Sequence, residues 1–233
     1  MTDQLFPETP VKDHTAGHRQ RLRERFLKAG PDGVADYELL ELLLFLAIPR
    51  RDVKPMAKGL ITRFGSLGRL LAADAGALRA AGLSDAMAAT LLTVKAAALH
   101  MAKEQVTARP VLSNWQALLD YLRLDMADDT RERFRVLFLD RKNVLVADEV
   151  QGEGTVDQTP VYPREVVRRA LELGASALIL VHNHPSGDTT PSRADIAMTK
   201  EVSDACSKLG IAVHDHLIIG LKGHTSFKSE GLI

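Results

Sequence analysis

The sequence predicts two parts of different class, an all-α N-terminal domain and an α/β C-terminal domain built on a mixed sheet flanked by helices. Two observations carry this. From Gly17 to about Lys103 the chain is alanine-rich and helical in pattern, with no credible strand. From residue 113 onward, apolar runs of strand length alternate with helical segments. The organisation that follows is a polar, disordered stretch over 1–16, a helical domain over 17–104, a linker over 105–112 that contains QVTARP, and the α/β domain over 113–233.

Taken in order, helices are expected at Arg19 to Lys28, Asp36 to Leu46, Val53 to Phe64, Leu67 to Ala72, Ala75 to Ala80 and Asp85 to Lys103. Gly30-Pro31-Asp32-Gly33 and Phe64-Gly65-Ser66 punctuate them. A further helix starts at Ser113-Asn114 and runs from Trp115 to Leu122. Phe134 to Asp140 and Val144 to Val150 read as two strands joined by a turn at Arg141-Lys142-Asn143, a hairpin. The next helix opens at Tyr162-Pro163-Arg164-Glu165 and reaches Leu173. Ala175 to Val181 (ASALILV) is an apolar run that suits a buried strand, and Ile211 to Ile219 is another strand.

The end of ASALILV carries the chemistry. His182 and His184 stand two apart, so a strand would project them side by side. Pro185-Ser186-Gly187-Asp188 then breaks the strand. A helix should begin near Thr190-Pro191-Ser192, with Thr190 or Ser192 as N-cap and Pro191 at the first helical position. Asp195, eleven positions after His184, falls in the first turn and faces back toward the strand end. Two imidazoles and a carboxylate are the ligand set of a catalytic zinc. Singly, each residue has a blander reading: a structural histidine, or a capping aspartate. It is the combination that points to metal. A general base would also be needed, and Glu132, Asp140, Asp148, Glu149, Glu153 and Glu165 all qualify by position; spacing does not separate Glu132 from Glu149.

His-x-His-Pro followed by Pro-Ser-x-x-Asp resembles the metal signature of the JAMM (MPN-plus) metalloprotease superfamily. The string HNHPSGDTTPSRADIAMTK, with Val161-Tyr162-Pro163-Arg164-Glu165-Val166 and Asp215-His216-Leu217-Ile218-Ile219-Gly220, resembles the RadC family within it, over residues 132 to 233. The resemblance implies a C-terminal JAMM/MPN-type domain with one Zn²⁺ per chain on His182, His184 and Asp195. It implies Glu132 as the base, and Ser192 as a hydrogen-bond donor to the oxyanion; the rival role for Ser192 is that of a helix N-cap. The substrate class implied is a peptide or protein, cleaved by a zinc metallopeptidase or isopeptidase. His214 and His216 form a second His-x-His, with both rings expected on one face of their strand. His214 reads as half-buried surface and His216 as a group that orients a ligand.

The helical part resembles the N-terminal domain of the same family, with a helix-hairpin-helix character carried by Phe64-Gly65-Ser66-Leu67 and Ala81-Gly82-Leu83-Ser84-Asp85-Ala86. This opens an alternative class of function, a DNA-associated repair or recombination module binding nucleic acid through that domain. Ser84 stands where such a loop would carry its second glycine. Residues 1–105 carry a net charge of only +3 and residues 110–233 carry −4, so no dedicated basic footprint is seen. Arg19, Arg21, Arg23, Arg25 and Lys28 read as a solvated helix face, and Arg50-Arg51 with Lys54 is a smaller basic cluster. A zinc deaminase would need a Pro-Cys-x-x-Cys motif, which one cysteine, Cys206, does not supply. No apolar run approaches the ~18 residues of a membrane span, and no secretory signal is seen, so a cytoplasmic location is expected.

Overall fold

A computed structural model describes residues 17–154 and 161–233. The expected disorder of 1–16 lies outside the described residues. The chain forms two compact units that divide between Thr93 and Val94. The division falls inside a helix, and Gln105–Thr107, read above as linker, forms that helix's last turn. The physical reason is Val106, which is buried in the second unit's core and keeps the segment helical.

The first unit contains α1 (His18–Ala29), α2 (Asp36–Ala47), α3 (Lys54–Phe64), α4 (Leu67–Ala72), α5 (Ala75–Ala80) and the start of α6 (Asp85–Thr107). Leu22, Leu40, Leu44, Leu60, Leu70, Leu78 and Leu91 build its core. The two six-residue helices are too short to persist alone, and each is capped. Ser66 Oγ accepts from Arg69 N–H at the start of α4, and Asp74 Oδ1 accepts from Ala77 N–H at the start of α5. At the hairpin turn before α6 the N–H groups of Gly82 and Leu83 turn inward, to the carbonyls of Arg79 and Leu78. Arg19, from the basic face of α1, stacks on Phe45 and donates to the carbonyls of Ile48 and Arg51, tying down the loop after α2.

The second unit is a five-stranded sheet in the order β2-β1-β3-β4-β5. Its strands are β1 (Arg133–Leu139), β2 (Leu145–Glu153), β3 (Ala177–Asn183), β4 (Ala212–Gly220) and β5 (Gly223–Ser226). β1 pairs antiparallel with β2 and β3, β3 pairs parallel with β4, and β4 pairs antiparallel with β5. The sheet is therefore mixed, as the sequence predicts. Side chains alternate between two cores. Leu137, Ile179, Val181, Leu217 and Ile219 face α7 (Trp115–Met126), while Phe134, Val136, Leu178 and Leu180 face α8 (Pro163–Glu172) and α9 (Arg193–Ser207). β5 is not anticipated by the sequence, because Gly-His-Thr-Ser has no apolar alternation and is held by its partner β4.

α9 is the crossover between parallel β3 and β4, and so must start close to the end of β3. The loop that turns between them lies against the β4–β5 hairpin. A Cβ on Gly220 would fall 2.8 Å from Thr189 Cγ2 and 2.9 Å from the Gly187 carbonyl oxygen. Backbone there has no room to yield cheaply. Gly220→Ala is expected to destabilise the protein by about 1–3 kcal/mol, the usual range for overpacking, and to disturb the loop carrying His184. Thermal melts of the two proteins check this; equal melting temperatures would show that the loop moves freely.

Candidate metal centre

His182 lies on the same face of β3 as Leu178 and Leu180, which turns it toward α9. His184 follows just past the strand end. α9 begins with a capping box: Ser192 Oγ accepts from Asp195 N–H at 3.1 Å, and Asp195 Oδ2 accepts from Ser192 N–H at 2.7 Å. Ser192 is thus the N-cap, and Pro191 precedes it instead of taking the first helical position. The strand end and the capped helix start bring His182, His184 and Asp195 together. One ligand atom from each lies within 4.8 Å of the others. His182 Nε2 and His184 Nε2 are 2.9 Å apart, with Asp195 Oδ1 3.4 Å from the first and Oδ2 3.7 Å from the second.

Partners on the far side of each ring fix which nitrogen is bare. His184 Nδ1 is 2.6 Å from the Asp188 carbonyl oxygen. A carbonyl only accepts, so Nδ1 carries the proton and neutral His184 presents a lone pair at Nε2. The same logic runs along a buried chain behind His182. Thr199 Oγ1 donates to the Asp195 carbonyl at 2.6 Å, so it must accept from His216 Nδ1, 2.5 Å away. His216 Nε2 is then an acceptor and takes the proton of His182 Nδ1 at 2.8 Å. This leaves His182 Nε2 bare and aimed at Asp195. Both imidazoles and the carboxylate offer lone pairs to one point, as metal ligands must.

The protonation states of the two buried rings agree, while a metal at His184 would have to displace a proton. Burial pushes His182 down to about 4 and His216 well below its ordinary range, so both are neutral at pH 7. His184 titrates above its ordinary range, because the Asp195 carboxylate, the Asp188 carbonyl and the Glu132 charge outweigh its partial burial. Burial opposes ionisation of Asp195, but His184, His182 and the Ser192 N–H overcome it and hold the carboxyl far below the usual range.

Four of the other carboxylates read as possible bases fall elsewhere, and the side chain of Glu153 lies outside the described residues. Both oxygens of Glu149 are gripped by Arg169, at 2.6–3.1 Å. Asp140 accepts from backbone N–H groups in the hairpin turn, and Asp148 accepts from Tyr121. Glu165 pairs with Arg164 and Arg168 on the surface. Glu132 sits immediately before β1, and its charge reaches His184. The second His-x-His does not stay on one face. A register shift sets Val213 opposite Leu178 and Asp215 opposite Ile179, so His214 is the bulged residue. His214, half-buried, turns to Asn143 Oδ1 at 2.7 Å, while His216 backs His182. Thr199 escapes sequence reasoning, although its position four residues after Asp195 on one helix face is a usable signal.

Two outcomes follow. Thr199→Val removes the acceptor that orients His216, and is expected to weaken metal binding about 10–100-fold, as loss of an outer partner does; competition titration against a chelator measures it. Acid should weaken binding too. A proton on His184 competes with the metal, so affinity falls as pH drops through that raised pKa, beginning above the ordinary 6.5. The fall steepens again near 4, where His182 titrates. A pH-independent affinity between 5 and 8 would contradict the assignment.

Comparison with known proteins supplies the family. The description "RadC-like JAB domain" matches residues 112–232, which cover the whole sheet and the His182–His184–Asp195 cluster. A UPF0758 protein of Rhodobacter capsulatus is 59% identical over 213 residues, spanning 91% of this chain and 100% of that one. With a helical region followed by a mixed five-stranded sheet, and with these matches, the chain belongs to the RadC family.

Proposed function

We propose that this protein is a zinc-dependent metallohydrolase that cleaves peptide or isopeptide bonds. The observation that carries the reading is the convergence of His182 Nε2, His184 Nε2 and the Asp195 carboxylate, each freed for a ligand by the partner behind or beside it. Tetrahedral zinc with bonds of ~2.0–2.1 Å needs ligand atoms about 3.3 Å apart. The ring nitrogens here are 2.9 Å apart, and each has an oxygen of Asp195 near that edge length, Oδ1 at 3.4 Å from His182 and Oδ2 at 3.7 Å from His184. Three protein ligands also match a catalytic site, not the closed four-ligand shell of a structural one.

Zinc bound there would supply a water acidified toward pKa ~7 and a Lewis acid for the scissile carbonyl. The chain's own residues do the rest. The Glu132 carboxylate takes the proton of the attacking water and returns it to the leaving amine nitrogen, base first and acid afterwards. Ser192 Oγ already accepts from Asp195 N–H, so its hydroxyl proton can be given to the oxygen on which charge develops. Capping and oxyanion stabilisation are therefore compatible roles for one hydroxyl. No helix among the described residues is long and apolar enough to cross a membrane, and we place the reaction in the cytoplasm.

Metal analysis of the purified protein is the test, with peptide and isopeptide-linked substrates assayed on the zinc-loaded form. One zinc per chain is expected, and none in a His182→Ala/His184→Ala variant. Glu132→Gln should keep the metal and lose turnover by roughly 10²–10⁴-fold. Ser192→Gly, which costs a cap only a few tenths of a kcal/mol, should still lose about 10²–10³-fold. Failure to bind zinc at neutral pH would remove the hydrolase reading, and full activity in Glu132→Gln would remove the base.

A further inference from the structure

Asn183 stands between the two histidines and has no part in the ligand set, yet only 1% of it is exposed. Its carboxamide spans to the segment that carries Glu132. Asn183 Oδ1 accepts from Arg133 N–H at 2.9 Å, and Asn183 Nδ2 donates to the Arg131 carbonyl at 2.9 Å. The orientation of the amide is fixed by its partners, since one can only donate and the other only accept. The β1–β3 ladder ends one step earlier, where Phe134 pairs with His182. Beyond it, the Asn183 side chain imitates a peptide group and continues the pairing for one more step. On the other side the Glu132 carbonyl accepts from Gly154 N–H at 3.0 Å, at the end of β2. Glu132 precedes the strand, but its backbone is bracketed from both neighbours.

From this geometry we infer that Asn183 is a positioning residue for Glu132: it locks the backbone on either side of the glutamate to the same strand end that carries the metal ligands. The inference rests on the hydrolase reading for its catalytic consequence, and on hydrogen bonds alone for the clamp. A glutamate on an untethered segment would sample many positions, whereas a base must hold its carboxylate against the reacting water within a fraction of an ångström. Asparagine is suited to the task because it offers one acceptor and one donor from a planar group. Leucine has nearly the same shape and offers neither. Serine is too short to reach both partners.

The experiment compares wild type with Asn183→Leu and Asn183→Ser, the second being the milder change should leucine prevent folding. Amide exchange is followed by NMR on the zinc-loaded protein, and turnover is measured in the Glu132 and the Glu132→Gln backgrounds. The clamp predicts that Arg133 N–H exchanges faster by about tenfold or more, while the core amides of Leu137 and Ile179 and the zinc stoichiometry stay unchanged. Turnover should fall about a hundredfold through kcat with KM held, and neither variant should lose anything further once Glu132 is glutamine. Unchanged exchange at Arg133 overturns the clamp. A turnover loss that multiplies with that of Glu132→Gln, or that tracks lost zinc, overturns the positioning role. Absence of amide hydrolysis in the zinc-loaded wild type would count against the proposed function instead, and the exchange measurement would still decide whether Asn183 holds the segment.

Discussion

The candidate centre depends on one buried chain of hydrogen bonds, from His182 Nδ1 through His216 and Thr199 to the Asp195 carbonyl. It begins on one ligand and ends on the backbone of another, so β3, β4 and α9 are tied into a closed loop around the site. Each link leaves the next group one choice of donor and acceptor. A carbonyl terminus propagates through a hydroxyl and an imidazole to set the tautomer of a ring three groups away. The apolar cage is part of the device. Phe134 and Phe227 flank the His216 ring, with centroids 5.9 and 4.5 Å away, and burial keeps that ring neutral. A charged His216 would have two donors and no acceptor for His182.

Asp195 shows how folding and site chemistry share atoms. One carboxylate oxygen closes the capping box on Ser192 N–H, and the other faces His182. Cap formation at the start of α9 and ligand placement are the same event. The opposite face of the sheet has a different polar cluster. There Arg135 pairs with Asp125 at 2.7 Å and lies 3.1 Å from Asp148, which accepts from Tyr121. Burial and the Asp148 charge both push the Tyr121 hydroxyl up, so it remains a donor. Arg135 neighbours Phe134 in β1, so α7 is held to the sheet by buried charge on one face while the candidate metal ligands gather on the other. Breaking such a network leaves an unpaired buried charge, which favours one register of packing over its alternatives.

Most elements were legible because their signals are local. Leu67–Ala72 and Ala75–Ala80 fall where Ser66 and Asp74 cap them, and ASALILV becomes the central strand its composition requires. His182, His184 and Asp195 were legible for the same reason: a strand period of two and a first helical turn place them without any long-range information. The failures share a cause as well. β5 has no pattern of its own and exists through its pairing with β4. The bulge at His214 comes from the register of β4 against β3, and it sent the second His-x-His to two different places. QVTARP reads as a linker because the sequence does not show that Val106 finds a core.

The sequence by itself determined the two fold classes, the juxtaposition of His182, His184 and Asp195 and the capped start of α9, all of which follow from periodicity and short-range hydrogen bonding. Only the tertiary structure decided which nitrogen of each histidine is bare, and that Arg169 occupies Glu149 while the charge of Glu132 reaches His184. It alone brought Asn183 against residues 50 and 52 positions earlier. Those outcomes depend on which strands lie side by side and in what register, and no local pattern in the chain encodes that.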